Sequence, residues 1–488
     1  MPDSGFKARP YLLFLSSAWL LPLRLILPSA PVALAAELSP EALVHRCTLQ
    51  LSSTRARIDA ETKSRLASGE LTYLQLCMEL LDLARFEAGT TVLSAQQQSN
   101  PLSLRVLDTL NRFHNSFFSR NDGLAVDDFA QATHELQSFE FGHYFTWSLF
   151  SQNVPVEAIL THPVLLEPAR AGQASHFLTH PTLSSVPLAG SGFLTSLPPN
   201  PPSIQAQLST WSPALMPVGR FIGVQPAAPK VIPGLVFNTN PAPPDVVNYN
   251  INTHLGVGLL GDPTYQLLNT GAAFGVVPDG GLKNYRRFSE TVFKEFLCRD
   301  LPVIRPSDVP PATIDPASPI SFNRLRSCQQ CHQSMEPMAA TVRNFVAARS
   351  ARVNPSANLF VTIHGLDRRR DGSSSSSFAY QEPNGSLVFR DLEGQLIQQP
   401  VQGVTGLAEA LVARPDFYAC VASRYYQFLT GTQVQLFDPG SPTAPSLSEQ
   451  DLIHVNFVKQ LGQDLRQHHS LRTLIQHILQ SPHYRRQQ

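Results

Sequence analysis

Charged side chains are scarce in this chain. Asp, Glu, Lys and Arg make up 15% of its 488 residues, and 37 basic residues balance 37 acidic ones. Without a net positive charge, the chain has no electrostatic basis for binding nucleic acid or an anionic membrane surface, so no nucleic acid partner is expected. Proline, in contrast, is abundant, with 41 residues. This combination predicts short helices joined by long irregular connections.

Long apolar runs are absent after the first 36 residues. Two basic residues precede a mostly apolar stretch, Tyr11–Ala36, which contains the small-residue sequence Ala33-Leu34-Ala35. This pattern is typical of a secretory signal peptide, and Arg24 together with three prolines makes the stretch a poor membrane span. We predict a signal peptide over residues 1–35, a periplasmic or secreted mature protein, and no stable membrane insertion after cleavage.

Signature motifs of several common enzyme classes are also missing. The sequence has no GxSxG, HExxH or Walker-type phosphate loop, and no GxGxxG in a supporting context. The usual indications of a serine hydrolase, a zinc peptidase, a P-loop nucleotidase or a dinucleotide enzyme are therefore lacking. Whether the chain is an enzyme stays open at this level.

One motif that does carry chemistry is the pentad Cys328-Gln329-Gln330-Cys331-His332. Two thiols about one helical turn apart can each add to a vinyl group of one porphyrin, and the adjacent histidine can then ligate the iron. We predict one covalently bound haem c per chain, with Cys328 and Cys331 as thioether anchors and His332 as the metal ligand. The alternatives are a thioredoxin-like pair, half of a zinc site and a structural disulfide. Gln329 is expected to be a spacer whose replacement by alanine is nearly silent.

Four further cysteines are available for disulfides in an oxidising compartment. They are Cys47, Cys77, Cys298 and Cys420, and four thiols allow three connectivities that sequence alone does not separate. Cys47 and Cys77 lie in neighbouring helical patterns, which favours that pair and leaves Cys298 with Cys420. The alternative is that one or both pairs are buried free thiols.

The hydrophobic pattern divides the mature chain into four regions. Helical periodicity is clear over residues 36–150 and 401–488, whereas residues 151–281 are proline-rich and are expected to form ordered coil. Residues 282–400 contain the pentad and are predicted to be a cytochrome c-like haem-binding domain. The predicted fold is therefore mainly α, with helical lobes, long proline-rich connections, a small β-hairpin and the haem domain in the C-terminal half.

Several elements can be placed more closely. The apolar pattern predicts an amphipathic helix over 282–297, a helix from Met338 to Arg349 and a hairpin near 378–395. Ser446 and Glu449 are the predicted capping box of a C-terminal helix, and Ser470 is the predicted N-cap of the last long one.

Three segments resemble a known family. The first two are Tyr285–Phe288 and Phe296–Pro302; the third runs from Cys328 through Met335-Glu336-Pro337. Together they resemble the planctomycete-type cytochrome c-like families, in which a Met/Ile-Asp-Pro step follows the haem motif. Phe417–Gly431 is similar to the helical domain that closes those proteins. The resemblance implies a haem protein of an exported redox system, and this chain departs from it in having Glu336 where Asp is usual.

The second axial ligand of the iron would separate electron transfer from chemistry on a small molecule. Met338 could reach the distal side only if the chain turned sharply at Pro337, and His364 is the other candidate, at the end of a strand-like run. We expect an electron carrier with redox protein partners. The alternatives are a haem enzyme of the peroxidase or oxidase type and a haem-based sensor or structural module.

Overall fold

The computed structural model describes residues 36–55, 57–118, 141–171, 187–189, 220–227, 231–238, 245–250, 256–262, 265–266, 283–343, 345–350, 361–366 and 382–486. These residues are mainly helical, which confirms the predicted fold class at that level. Among them, no helix combines the length and the apolar character needed to cross a bilayer. The predicted signal peptide, residues 1–35, lies outside the described residues.

The described helices lie before and after the first five strands, and one of them contains the pentad. Those before the strands are α1 (Pro40–Ser52), α2 (Ala60–Ser68), α3 (Tyr73–Asp82), α4 (Ala95–Ser99), α5 (Pro101–Asn115), α6 (His143–Phe150) and α7 (Ala158–Thr161). The others are α8 (Lys283–Phe296), α9 (Arg326–Ala339), α10 (Gly403–Val412), α11 (Pro415–Thr430), α12 (Glu449–His468), α13 (Leu471–Gln480) and α14 (Pro482–Arg485).

Short strands form small separate sheets. The strands are β1 (Leu166–Ala171), β2 (Pro187–Ala189), β3 (Arg220–Pro226), β4 (Val231–Asn238), β5 (Asp245–Asn250), β6 (Phe345–Ser350), β7 (Val361–Leu366), β8 (Asn384–Arg390) and β9 (Leu396–Gln402). β1 pairs with β3, β6 with β7 and β8 with β9, all antiparallel. β4 lies between β2, which is parallel to it, and β5, which is antiparallel.

The proline-rich region contains strands where the sequence predicted coil. Proline cannot donate to a central ladder, but a two-stranded sheet has only edge strands, and these tolerate it. Pro168 accordingly lies inside β1, and Pro226 ends β3 opposite Leu166. The prediction of coil over residues 151–281 is therefore wrong where β1 to β5 lie. In β4, the central strand of its sheet, Pro233 lies in the register shift between Ile232 and Leu235.

The predicted hairpin is present, but its turn lies further along the chain. β8 contains the predicted strand, and residues 391–395 connect it to β9. The Asp391 carboxylate accepts hydrogen bonds from the backbone N–H of Glu393, at 3.0 Å, and of Gln395, at 2.8 Å. An aspartate that bonds the backbone in this way nucleates a turn, so the hairpin spans Asn384–Gln402 instead of 378–395.

The helix predicted from Met338 to Arg349 is wrong. α9 ends at Ala339, a 3₁₀ turn covers Ala340–Val342, and Phe345–Ser350 is the strand β6. Phe345 and Val346 suit a pleated strand, and pairing with β7 satisfies the backbone there, so tertiary pairing overrides the weak helical pattern.

The C-terminal helices begin close to the predicted positions. Ser448 and Asp451 form the capping box of α12, two residues after the predicted pair, because Ser448 has the extended backbone that an N-cap needs. Ser470 caps α13 as predicted, and its side chain accepts a hydrogen bond from the N–H of Thr473.

Two disulfides join the cysteines outside the pentad. Cys47 in α1 is bonded to Cys77 in α3, and Cys298 after α8 is bonded to Cys420 in α11. These are the two pairs that the sequence favoured. Each ties neighbouring helices together, and the second links the segment before the pentad to the helices after it.

The helices from the two ends of the chain share one hydrophobic core. Buried residues of a single cluster run from Leu43 to Tyr484, and polar contacts reinforce it: Tyr73 donates to the carbonyl of Leu479 at 2.8 Å. The described N-terminal and C-terminal helices therefore pack against each other and do not form the two lobes expected on either side of a coil region.

Candidate functional site

The predicted anchors and ligand lie on one helix. Cys328, Cys331 and His332 all belong to α9, and helical spacing places the three side chains on one face. Both thiols are partly buried and unpaired, whereas the other four cysteines of the chain are bonded to each other. The pentad therefore presents the only two free thiols beside a histidine.

The imidazole of His332 is held at one of its two nitrogens. Nδ1 lies 2.9 Å from Oε1 of Glu336, one turn further along α9. The ring of Phe322 stacks on the imidazole, with 4.0 Å between the ring centroids and 6° between the planes. Within the part of the chain that the structure describes, Nε2 has no hydrogen-bond partner. That nitrogen is the one left for a metal.

Glu336 is a carboxylate held between two donors. Arg286, on α8, donates from Nε to the same Oε1 at 2.6 Å. Burial acts to raise the pKa of Glu336, but the hydrogen bond from His332 and the charge of Arg286 outweigh it and lower the pKa below its usual value. A carboxylate in this position fixes the proton of His332 on Nδ1 and orients the ring.

Two side chains hold α9 in place around the pentad. Ser289 of α8 donates to the backbone carbonyl of Met335 at 2.9 Å. Gln329 is buried and donates to the carbonyl of Phe322 at 3.1 Å and to Oδ1 of Asn323 at 2.9 Å. Gln329 therefore anchors the short turn that carries the aromatic ring stacked on His332, which is a structural role that the sequence did not indicate for this position.

The environment of the thiols does not favour a reactive thiolate. Burial raises the pKa of Cys331, and the neighbouring Cys328 and Glu290 add to that shift. A redox-active CxxC pair uses a thiolate stabilised by a lowered pKa, which is the opposite direction. Among the described residues, no group of three or more His, Cys, Asp or Glu side chains is arranged to hold a metal ion by itself.

Apolar side chains directly before the pentad are left exposed. Ile320 is 46% exposed and Leu325 is 58% exposed. Leu325 lies three residues before Cys328 and therefore on the same side of the helix start. The two faces of a porphyrin are largely apolar, so such a surface favours its burial. The free thiols, the available Nε2 and this surface together fit a covalently attached haem.

The structure describes the side chain of one candidate for the second axial ligand, Met338, and only the backbone of the other, His364. α9 continues through Pro337 without the sharp turn that Met338 would need, and Met338 is fully buried in the core cluster. Met338 is therefore not placed as a distal ligand. His364 lies inside β7, where its backbone is paired with Ala347, and its side chain lies outside what the structure describes.

Sequence reasoning missed three residues of the site: Arg286, Phe322 and Glu336. Glu336 had a usable signal, because it lies four residues after His332 and i, i+4 residues are neighbours on a helix. Arg286 and Phe322 reach the site only through the packing of α8 and of the turn Ser321–Asn323 against α9. No local sequence pattern predicts this packing.

Comparison with known proteins gives no relative: no family model, no curated protein and no solved structure matches this chain. Its function must therefore be inferred from the residues of the site.

Proposed function

We propose that this chain is an exported c-type haem protein that carries one covalently bound haem and transfers electrons in a periplasmic redox chain. The observation that carries the proposal is the arrangement on α9: two free thiols one turn apart, followed by a histidine whose Nε2 has no partner among the described residues. The resemblance to planctomycete-type cytochrome c-like families supports it, and so does the predicted signal peptide over residues 1–35.

Each residue of the motif has a separate task in this proposal. Cys328 and Cys331 would hold the porphyrin through thioether bonds, and His332 would ligate the iron through Nε2. Glu336 keeps the proton of His332 on Nδ1. When bound, the haem supplies reversible exchange of one electron at its iron. Arg286 and Phe322 hold Glu336 and the imidazole in position, so that the ligand needs little rearrangement.

A haem enzyme or a haem-based sensor is the second candidate, and one observation favours it. Met338, one of the two candidates for the second axial position, is buried in the core. An iron with one protein ligand has an open position for a small molecule, which suits a peroxidase-type or oxidase-type enzyme or a gas sensor. His364 is the remaining candidate for closing that position.

The spectrum of the ferrous protein with and without carbon monoxide distinguishes an electron carrier from a haem enzyme or sensor. For an electron carrier we expect low-spin bands that the gas does not change, because both axial positions are filled by protein. A high-spin spectrum that shifts at once on adding carbon monoxide would overturn the carrier and support the enzyme or sensor. His364→Ala is the matched variant: if His364 is the second ligand, the low-spin wild-type spectrum becomes gas-sensitive.

A further inference from the structure

We propose that Glu336 is a positioning residue that makes His332 a stronger donor to the iron and lowers the reduction potential of the haem. This inference rests on the proposed haem attachment and adds a role that the pentad itself does not contain. Glu336 does not touch the iron; it acts through the imidazole.

The first step is the hydrogen bond within α9. Nδ1 of His332 and Oε1 of Glu336 are 2.9 Å apart, which is an ordinary length for a charge-assisted hydrogen bond. Because the carboxylate can only accept, the proton must be on Nδ1, and Nε2 carries the lone pair. A metal-bound histidine whose other nitrogen donates to a carboxylate is a more basic ligand than one that donates to water.

The second step is that this geometry is rigid. Phe322 stacks on the imidazole almost in parallel, so a partial rotation of the imidazole would break that contact, and a full flip, which would keep it, would cost the hydrogen bond from Nδ1 to Glu336. Arg286 donates to the same Oε1 and also lies over the ring of Phe322, with Cζ 4.9 Å from its centroid. The guanidinium of Arg286 therefore contacts both the carboxylate and the aromatic ring that hold the imidazole.

The third step is the effect on the iron. A more basic imidazole stabilises the ferric state relative to the ferrous state, because the higher charge gains more from a stronger donor. The hydrogen bond from His332 to Glu336 should therefore lower the reduction potential. Arg286 shares the oxygen and offsets part of the negative charge, so it moderates this effect without removing it.

Three variants of the full-length mature protein separate the hydrogen bond from the charge. Glu336→Gln keeps the shape and removes the charge. Glu336→Asp keeps the charge and draws the carboxylate back by one methylene group. Glu290→Gln is the matched control, because Glu290 is exposed on α8 and its charge is felt at Cys331, but no hydrogen bond joins it to His332 in the described structure.

The measurement is the midpoint potential of each variant by spectroelectrochemical titration, after equal haem content has been established. For Glu336→Gln we expect about a tenfold change in the redox equilibrium toward the ferrous state, which corresponds to about 59 mV upward. Glu336→Asp should also shift upward, and Glu290→Gln should shift clearly less. In parallel, the Nδ1 proton of His332 should exchange faster with solvent in both Glu336 variants than in the wild type.

Other outcomes are distinguishable. If the wild type carries haem but neither Glu336 variant changes the potential or the proton exchange, this inference is overturned and the proposed function stands. If Glu336→Gln and Glu290→Gln shift the potential equally while Glu336→Asp does not, the effect is one of charge alone, and the inference is likewise overturned. A wild type without covalent haem would overturn the proposed function together with this inference.

Discussion

Single residues of the site differ in how far sequence alone predicts them. The pentad predicts Cys328, Cys331 and His332 as the haem-binding residues, because thioether attachment needs a fixed spacing along the chain. Glu336 was within reach of the same reasoning as the i, i+4 neighbour of the histidine. Phe322 carries no signal in its own sequence context, since its role follows from the position of a 3₁₀ turn against α9.

Gln329 gives a prediction at this scale. Its side chain is 4% exposed and makes two hydrogen bonds to the turn that holds Phe322. Replacing it with alanine leaves those acceptors without their donor, so we expect Gln329→Ala to lower the free energy of unfolding by about 1–3 kcal/mol. Urea denaturation followed by circular dichroism measures this loss.

The control for that experiment is an exposed glutamine on another helix. Gln463 in α12 is exposed, and Gln463→Ala should change the free energy of unfolding by less than about 0.5 kcal/mol. Equal, small effects at both positions would show that Gln329 is the spacer that the sequence suggested.

Helices and strands were predictable to different degrees. α8 and α13 follow from apolar residues that recur at helical spacing, and in both cases the residues of the predicted face whose side chains the structure describes are buried. The strands between α7 and α8 were not predicted because the proline runs exclude a continuous helix or a central strand, whereas two-stranded pairs tolerate proline at their edges. The boundary between α9 and β6 was missed because it depends on pairing with β7, which is distant in sequence.

His114 joins three helices, and its burial predicts how the packing of these helices depends on pH. On α5, its Nδ1 contacts Thr146 of α6 at 2.8 Å and its Nε2 contacts Tyr425 of α11 at 2.6 Å. Burial lowers the pKa of His114 from its usual 6.5 to about 3. The unfolded chain therefore binds a proton that the folded chain does not, and this contribution to stability is complete above pH 6.5 and is lost as the pH falls toward 3.

The variant His114→Gln isolates this effect. Near pH 7 the wild type should be the more stable of the two, and its advantage should shrink by about 1.4 kcal/mol for each pH unit below 6.5. Chemical denaturation of both proteins at several pH values gives the difference directly. A difference that stays constant between about pH 7 and pH 5 would show that His114 takes up its proton in the folded protein as readily as in the unfolded one.

The described N-terminal and C-terminal helices share one hydrophobic core, whereas the sequence predicted separate helical lobes. Composition separated a proline-rich middle from helical ends, and the helical ends were identified correctly. Their mutual packing was not predictable, because the contacts join residues far apart in the chain: Arg472 of α13 forms a two-fold hydrogen bond with Asp82 of α3. Local periodicity reports which face of a helix is buried but not which other helix covers it.

The disulfides give a prediction at the scale of the molecule. Cys298 and Cys420 are separated by 122 residues, and Cys47 and Cys77 by 30. Closing a longer loop restricts the unfolded chain more, and each disulfide is worth about 2–4 kcal/mol. Replacing Cys298 and Cys420 with serine should therefore lower the free energy of unfolding by about 1 kcal/mol more than replacing Cys47 and Cys77.

Guanidinium unfolding of the two double variants compares them under the same conditions, with the wild type as reference. An equal loss in both, or a larger loss for the Cys47 and Cys77 variant, would mean that native-state contacts at the bridges outweigh the restriction of the unfolded chain.

Covalent attachment of haem to α9 is the central claim, and one measurement tests it most directly. The wild type and a Cys328→Ser, Cys331→Ser double variant are exported in a bacterial host with c-type haem maturation, purified, denatured and extracted with acidic acetone. We predict that the wild type keeps one haem per chain through the extraction and gives a c-type pyridine haemochrome spectrum, and that the double variant does not. Haem released into the solvent from the wild type, or a wild type without pigment, would contradict the account.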